Sequence, residues 1–406
     1  MTATTPSRRA APGPPARFAA DEVWGRRAGR MLRPFAQGRS GPTAAERERI
    51  ATALRAGDPL ADGVLGAIAD RRTSMVRVHE ALRAAVAGEP VPTGEPDELR
   101  RFVDSVTRIP DWVDPELAAR GARACMRAGL TGQDVLGDLA LLGGYRPAAT
   151  TAVLVATGRL TGEGTARRVG ETMAWWHAVA APDGWRPGRP GWEMTVHVRL
   201  MHARVNRTML SKGWDVEAKG LPINQADMAA TNGLFSATFL LGTLVLGIPH
   251  SPADARAVMH LWRWMGHVMG VEEQFLHSAP RRGLRDMYHF LRTSPPPDGD
   301  SRVLAESLLA SYGGTEFPHA AALRGRLDIA RHRSIATYLN GPAGMRELGL
   351  RPALPWFPAL VIPANLLLHG AATVSPRVRV AVERRGDRRI RRQIARYSRG
   401  AVTPLV

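Results

Sequence analysis

Between Thr195 and Leu210 the chain reads TVHVRLMHARVNRTML. At helical spacing, Val198, Met201, His202, Val205 and Met209 share one apolar stripe, with Arg199, Arg204 and Arg207 around it. An imidazole set in an apolar wall beside guanidiniums suits haem iron. The ring ligates the metal while the arginines pair with the propionates. The same pattern also fits a core histidine that is satisfied inside the fold. The residue types alone leave both readings open.

Other chemistries find less support. A di-iron carboxylate bundle needs Glu-x-x-His pairs, whereas Glu193/His197 and Glu273/His277 are spaced at four. No HExxH or clustered cysteines suggest zinc, and no GxSxG suggests a hydrolase. Gly162-x-Gly164 lacks the third glycine of a dinucleotide loop. The single cysteine, Cys125, rules out an internal disulfide framework and reads as a small buried helical residue.

The histidine stretch resembles the proximal-histidine helix of the latex-clearing protein (rubber oxygenase) and MpaB oxygenase family. Upstream, ARRVGETMAWW (Ala166–Trp176) is similar to that family's preceding helix. Downstream, PINQADMAATNGLFSATFLLG (Pro222–Gly242) and LWRWMGHVMGV (Leu261–Val271) resemble two further family segments. The likeness runs from about residue 134 to 280 and is weaker on either side.

The resemblance implies an all-α fold, a large globin-like helical bundle around a haem b pocket. His202 would be the iron ligand. Arg168 and Thr172 would lie close to the haem as catalytic and cofactor-binding residues; Arg199, from its place beside His202 and not from the resemblance, is a further cofactor-binding candidate. The implied reaction is oxidative cleavage or oxidation of a carbon–carbon double bond in a small, isoprenoid-like hydrophobic substrate by dioxygen. Two departures qualify it. Glu171 stands where rubber oxygenases carry a distal lysine. The apolar stretch Arg146–Leu160 also lacks a carboxylate to act as base. Two alternatives remain from the residues: a non-catalytic haem sensor or carrier, and a cofactor-free membrane-associated helical protein.

The chain has 406 residues and a formal net charge of +18. That excess is concentrated at the ends, which argues against a nucleic-acid partner. Residues 373–406 hold ten arginines against Glu383 and Asp387, and residues 1–35 hold seven against Asp21 and Glu22. The expected organisation is a disordered basic tail (1–18), an all-helical oxygenase-like domain (19–372) and a basic C-terminal segment (373–406). No apolar run follows Arg8-Arg9, so a cytoplasmic protein without a signal peptide is expected. Ile390, Ile394 and Tyr397 give the C-terminal segment a thin apolar stripe, consistent with peripheral membrane contact. A solvated charged end is the plainer reading.

The elements that would position the site read as helices. Thr43–Ala56 opens with a capping box, Asp114-Pro115 caps the helix Pro115–Ala128, and Ala148–Leu160 reads as a buried helix ended at Thr161–Gly164. Thr165–Val179 places Arg168, Thr172, Trp175, Trp176 and Val179 on one side. His260, Arg263 and His267 are expected at exposed positions on Ser251–Gly270, and His319 and His332 in solvent. Pro352–Val374, uncharged and interrupted by proline, reads as a packed or membrane-lying segment.

Overall fold

The computed structural model describes residues 13–36, 41–156, 164–314 and 320–397. Helices are the regular structure of these residues, with no strand among them. The first third of the chain forms α1 (Glu22–Gly29), α2 (Ala44–Ala53), α3 (Pro59–Ala69), α4 (Met75–Val86), α5 (Asp97–Thr107) and α6 (Pro115–Asp134). The middle third holds α7 (Leu142–Gly144), α8 (Ala148–Ala156), α9 (Gly164–Ala180), α10 (Pro190–Ser211), α11 (Val216–Lys219), α12 (Gln225–Gly233), α13 (Phe239–Val245) and α14 (Pro252–Val268). The last third holds α15 (Pro280–Thr293), α16 (Gly299–Ser311), α17 (Ala321–Glu347), α18 (Trp356–Val374) and α19 (Pro376–Tyr397).

Local signals set several boundaries. Thr43 and Glu46 close a reciprocal capping box on α2, and the Asp114 carboxylate caps α6 ahead of Pro115. Helix α6 continues past Ala128 through a kink at Gly129, whose φ of 55° favours glycine. Two π-helical segments, Val135–Leu141 and Leu234–Thr238, interrupt the α-helical register and pack against each other. The expected break at Thr161–Gly164 falls largely outside the described residues, as do residues 1–12 and His319.

The core is built on α6, which packs against both α14 and α19. Gly121 on α6 faces the Ala257 carbonyl, and Gly386 on α19 faces the Met126 carbonyl. A Cβ at either position would collide with backbone, so these glycines set how closely the helices approach. Around them Trp176, Trp262, Trp264, Phe102 and Phe239 are fully buried. Burial at that scale is the main favourable term for folding.

Three expectations about the ends and surface change. Residues 13–18 pack on the body: Ala16 and Arg17 donate backbone hydrogen bonds to Glu217 and Ala218, and Arg17 pairs with Asp227 at 2.7 Å. The C-terminal stripe does not face outward. Val382, Gly386, Ile390, Ile394 and Tyr397 are buried, because α19 lies against α6 and α9. Ile390, Ile394 and Tyr397 therefore join the main hydrophobic core. His332 is buried, not solvated.

Candidate functional site

Helix α10 carries His202 and is tied down on several sides. Trp192 Nε1 donates to the Val106 carbonyl at 2.9 Å. Thr195 Oγ1 accepts from Trp175 Nε1 at 2.9 Å, joining α10 to α9. Asn206 exchanges two hydrogen bonds with the Ile223 backbone. Fixed in this way, His202 borders a cavity of about 770 Å³. That size lies within the range of small-molecule and cofactor sites.

The cavity wall is largely apolar. Helix α9 contributes Arg168, Val169, Thr172, Met173, Trp175 and Trp176. The π-helical segments contribute Leu136, Leu139, Ala140, Leu234, Phe235 and Thr238. Trp262 stacks on Phe235 with centroids 5.1 Å apart, and Trp175 meets both rings edge-on. π-Helical insertions recur at functional sites because they turn a helix face out of register. Here both insertions supply cavity lining.

Burial pushes the His202 pKa down to about 4; the Asp58 charge opposes this and the Arg168 charge adds to it. The ring is therefore neutral at physiological pH, the form that ligates a metal. Its Nδ1 is buried without a hydrogen-bond partner. Among the described residues, therefore, this ring lacks the acceptor that orients most metal-bound histidines. The Thr238 hydroxyl, Tyr145 hydroxyl, Trp176 Nε1 and the Gln133 amide are buried in the same lining and find no partner among the described residues. Buried polar atoms are normally satisfied, so this grouping fits a wall built to receive a ligand with polar groups.

The two sequence-derived neighbours of His202 are brought to the cavity, each with a local partner. Arg168 Nη1 donates to Glu171 Oε2 at 2.6 Å. Thr172 Oγ1 donates to the Arg168 carbonyl at 3.1 Å. Glu171 also accepts from Arg167 and does not line the cavity.

Arg199 is a correction. It lies outside the lining, in a buried pair with Asp58 at 2.5 and 3.0 Å, and donates to the Val268 carbonyl at 3.2 Å. Its guanidinium is committed to the junction of α3, α10 and α14 and is not offered to a propionate. His260 and Arg263 are also not at exposed positions. His260 Nε2 accepts from the Asp114 backbone at 2.9 Å, and Arg263 lies 3.9 Å from the Trp112 ring centroid. Neither these residues nor His267 reach the cavity.

A second polar cluster went unread in the sequence. His332 Nδ1 lies 2.8 Å from Asp138 Oδ2, and Arg331 Nη2 donates to His332 Nε2 at 2.6 Å. Arg331 Nη1 also reaches both Asp134 oxygens at 2.8 Å, and Tyr312 stacks on His332 at 3.4 Å. Burial pushes Asp138 well above the carboxylate range and His332 down to about 3. Ligand atoms of Asp134, Asp138 and His332 lie within 4.8 Å of one another, as a metal site would require. Arg331 already holds Asp134 and His332, so its cation stands where a metal ion would. Asp134, His332 and Tyr312 border the same cavity as His202.

Residues 135–374, more than half of the chain, match the family described as ER-bound oxygenase mpaB/B'/rubber oxygenase, catalytic domain. The chain belongs to that family. It is 28% identical over 225 residues to the rubber oxygenase of Streptomyces sp. (strain K30), a match covering 54% of this chain and 54% of that protein. The chain thus matches about half the length of that curated relative. The fold is similar to that of latex clearing protein in its closed state, with a TM-score of 0.60 and 20% identity. That likeness covers 84% of this chain and 91% of the other. The all-α fold class and the family read from the sequence are both supported.

Proposed function

We propose that this protein is a haem b-dependent oxygenase that cleaves or oxidises a carbon–carbon double bond of an isoprenoid-like hydrophobic substrate with dioxygen. The observation that carries the reading is His202. It is neutral and fixed on a rigid helix, and it faces a cavity of about 770 Å³ walled by aromatic and aliphatic side chains. In the family's domain, that is the placement a proximal ligand needs.

The residues fit the group. His202 would hold the iron, and Arg168 would pair with a propionate. Thr172 and the unpartnered Thr238 hydroxyl would supply hydrogen bonds at the edge of the ring or to a polar substrate atom. Bound haem supplies the activation of dioxygen. The protein's own contribution is to exclude water and to hold an alkene against the Trp175, Phe235 and Trp262 rings. Cleavage balances without a reductant: one alkene and one dioxygen give two carbonyls, each carbon of the double bond taking one oxygen atom.

An absorption spectrum of the purified protein beside His202→Ala tests the cofactor. A strong Soret band that shifts or disappears in the variant supports the reading. No Soret band after haem reconstitution overturns it. With haem established, incubation with an isoprenoid under ¹⁸O₂ should give labelled carbonyl products. Tight gas binding without product would instead mark a sensor or carrier.

A further inference from the structure

Helix α18 is the least covered apolar element of the fold. Its inner stripe, Pro358, Asn365, His369 and Ala372, is buried against the body. On the outside, Leu360, Leu367 and Val374 follow one another at seven-residue spacing with 66%, 78% and 83% of their surface exposed. Trp356 and Leu366 extend the same apolar surface, and Leu354 precedes it. Isolated exposed leucines are ordinary, but a continuous line along a helix marks an interaction surface.

What continues the helix indicates the occupant. The chain turns at Ser375 into α19, whose inner face is taken up by the core. The outer face of α19 exposes Arg377, Arg384, Arg385, Arg388, Arg389, Arg391, Arg392 and Arg396. Burial and the neighbouring Arg385 and Arg392 charges hold the Arg389 pKa below its ordinary value, so these cations crowd one another. A two-fold pairing of α18 with a second copy would bring two such arginine rows together. An anionic lipid surface neutralises them and covers the leucines at once.

We propose that α18 lies in the interface of an anionic lipid bilayer, with Leu360, Leu367 and Val374 among the acyl chains and the arginines of α19 on the lipid phosphates. Helix α18 does not span the bilayer, because its inner stripe is bonded to the body. Asn365 Nδ2 donates to the Leu246 carbonyl at 2.8 Å, and the Ile362 carbonyl packs against Gly247. Those contacts adjoin the cavity. Val245 lines it, and the Tyr338 hydroxyl donates to the Val245 carbonyl at a point where Tyr338, also a lining residue, is exposed. Docking therefore sets α18 between the lipid and the cavity wall at Val245 and Tyr338, a short dry route for an apolar substrate dissolved in the membrane. That last step rests on the proposed oxygenase reading, whereas the docking itself does not.

Flotation of the full chain with vesicles tests the docking without reference to activity. The expected result is binding to vesicles of phosphatidylglycerol and phosphatidylcholine, and much weaker binding to phosphatidylcholine alone. The triple variant Leu360→Glu/Leu367→Glu/Val374→Glu should bind at least about 100-fold more weakly. Arg384→Glu/Arg388→Glu should bind about tenfold more weakly, and salt should lower binding of the parent further. Circular dichroism verifies that each variant is folded, which exposed positions favour. Three outcomes overturn the proposal. One is the absence of binding to anionic vesicles. A second is binding that depends on the arginines but not on the α18 side chains. The third is a soluble dimer that the triple variant dissociates, which would assign the apolar line to a second copy.

Discussion

Glu171 Oε2 accepts a 2.6 Å hydrogen bond from Arg168 Nη1, and Arg168 but not Glu171 borders the cavity. The carboxylate that stands in place of a lysine thus positions the neighbouring guanidinium from behind. It leaves Arg168 able to meet an anionic group on the cavity side. Arg168→Ala should weaken haem binding by about 10- to 100-fold, the worth of a charge-assisted hydrogen bond. Glu171→Gln keeps the guanidinium in place and should cost much less. Haem titration followed at the Soret band separates the two. Equal losses would mean that Glu171 touches the cofactor itself.

Arg199 gives the opposite expectation. It shares a buried ion pair with Asp58, linking α3 to α10. Removing one partner strands a charge, so Arg199→Met should cost roughly 3–5 kcal/mol of stability. Adding Asp58→Asn should recover part of that loss, since no charge then remains unpaired. Urea unfolding measures both. The Soret position of the folded Arg199→Met protein should match the parent, because Arg199 is outside the cavity. A shifted band would return Arg199 to the proposed haem site.

The orphaned hydroxyl of Thr238 separates binding from folding. Its Oγ1 is buried in the cavity wall and finds no partner among the described residues. Thr238→Val removes an unsatisfied group at nearly constant shape, so stability should hold or rise by about 1 kcal/mol. Loss of a hydrogen bond to bound ligand should lower kcat/KM by about tenfold. Thermal melts and kinetics on one preparation check both. A less stable variant would show that the hydroxyl already has a partner in the folded chain.

What the sequence revealed follows from range. His202 and the Arg168–Thr172–Trp176 face were legible because each lies within one helix, where spacing of three and four residues defines a face. Helix caps at Thr43 and Asp114 are equally local. The Asp138–His332 pair joins residues 194 positions apart, and Arg199 finds Asp58 at 141. No periodicity encodes such pairings, so His332 read as solvated and Arg199 as a cofactor ligand. The π-helical segments escaped because Val135–Leu141 and Leu234–Thr238 carry no residue pattern that sets them apart from ordinary helix. Where the apolar stripe of the basic tail goes was hidden for another reason: an amphipathic stripe looks the same whether it meets lipid or a protein core, and here the stripe of α19 meets α6 and α9.

Buried neutral histidines set the acid limit of the fold. Burial holds His202, His250 and His369 at about 4 and His332 at about 3, whereas an unfolded histidine titrates near 6.5. The folded pKa values are depressed, so the unfolded chain takes up protons first as pH falls. The contribution of His202, His250 and His369 is complete above about pH 6.5 and is lost as pH drops toward 4, whereas the His332 share is opposed by its partner Asp138, whose raised pKa favours the fold as pH falls. In this window each such histidine adds a slope of about 1.4 kcal/mol per pH unit, less where solvent reaches the ring. Glu46, held at about 2 mainly by Arg285 and Thr43 against the opposing effect of burial, extends the loss in the same direction below the usual carboxylate range. Urea midpoints of the haem-free protein at pH 7.5, 6 and 5 should therefore fall steadily. His202→Phe should flatten the pH dependence by one histidine's share, because a neutral ring in an apolar wall is replaced by one that cannot titrate. An unchanged slope in that variant would mean that the His202 ring is already protonated or solvated in the fold, and the neutral-ligand reading of the cavity would fail with it.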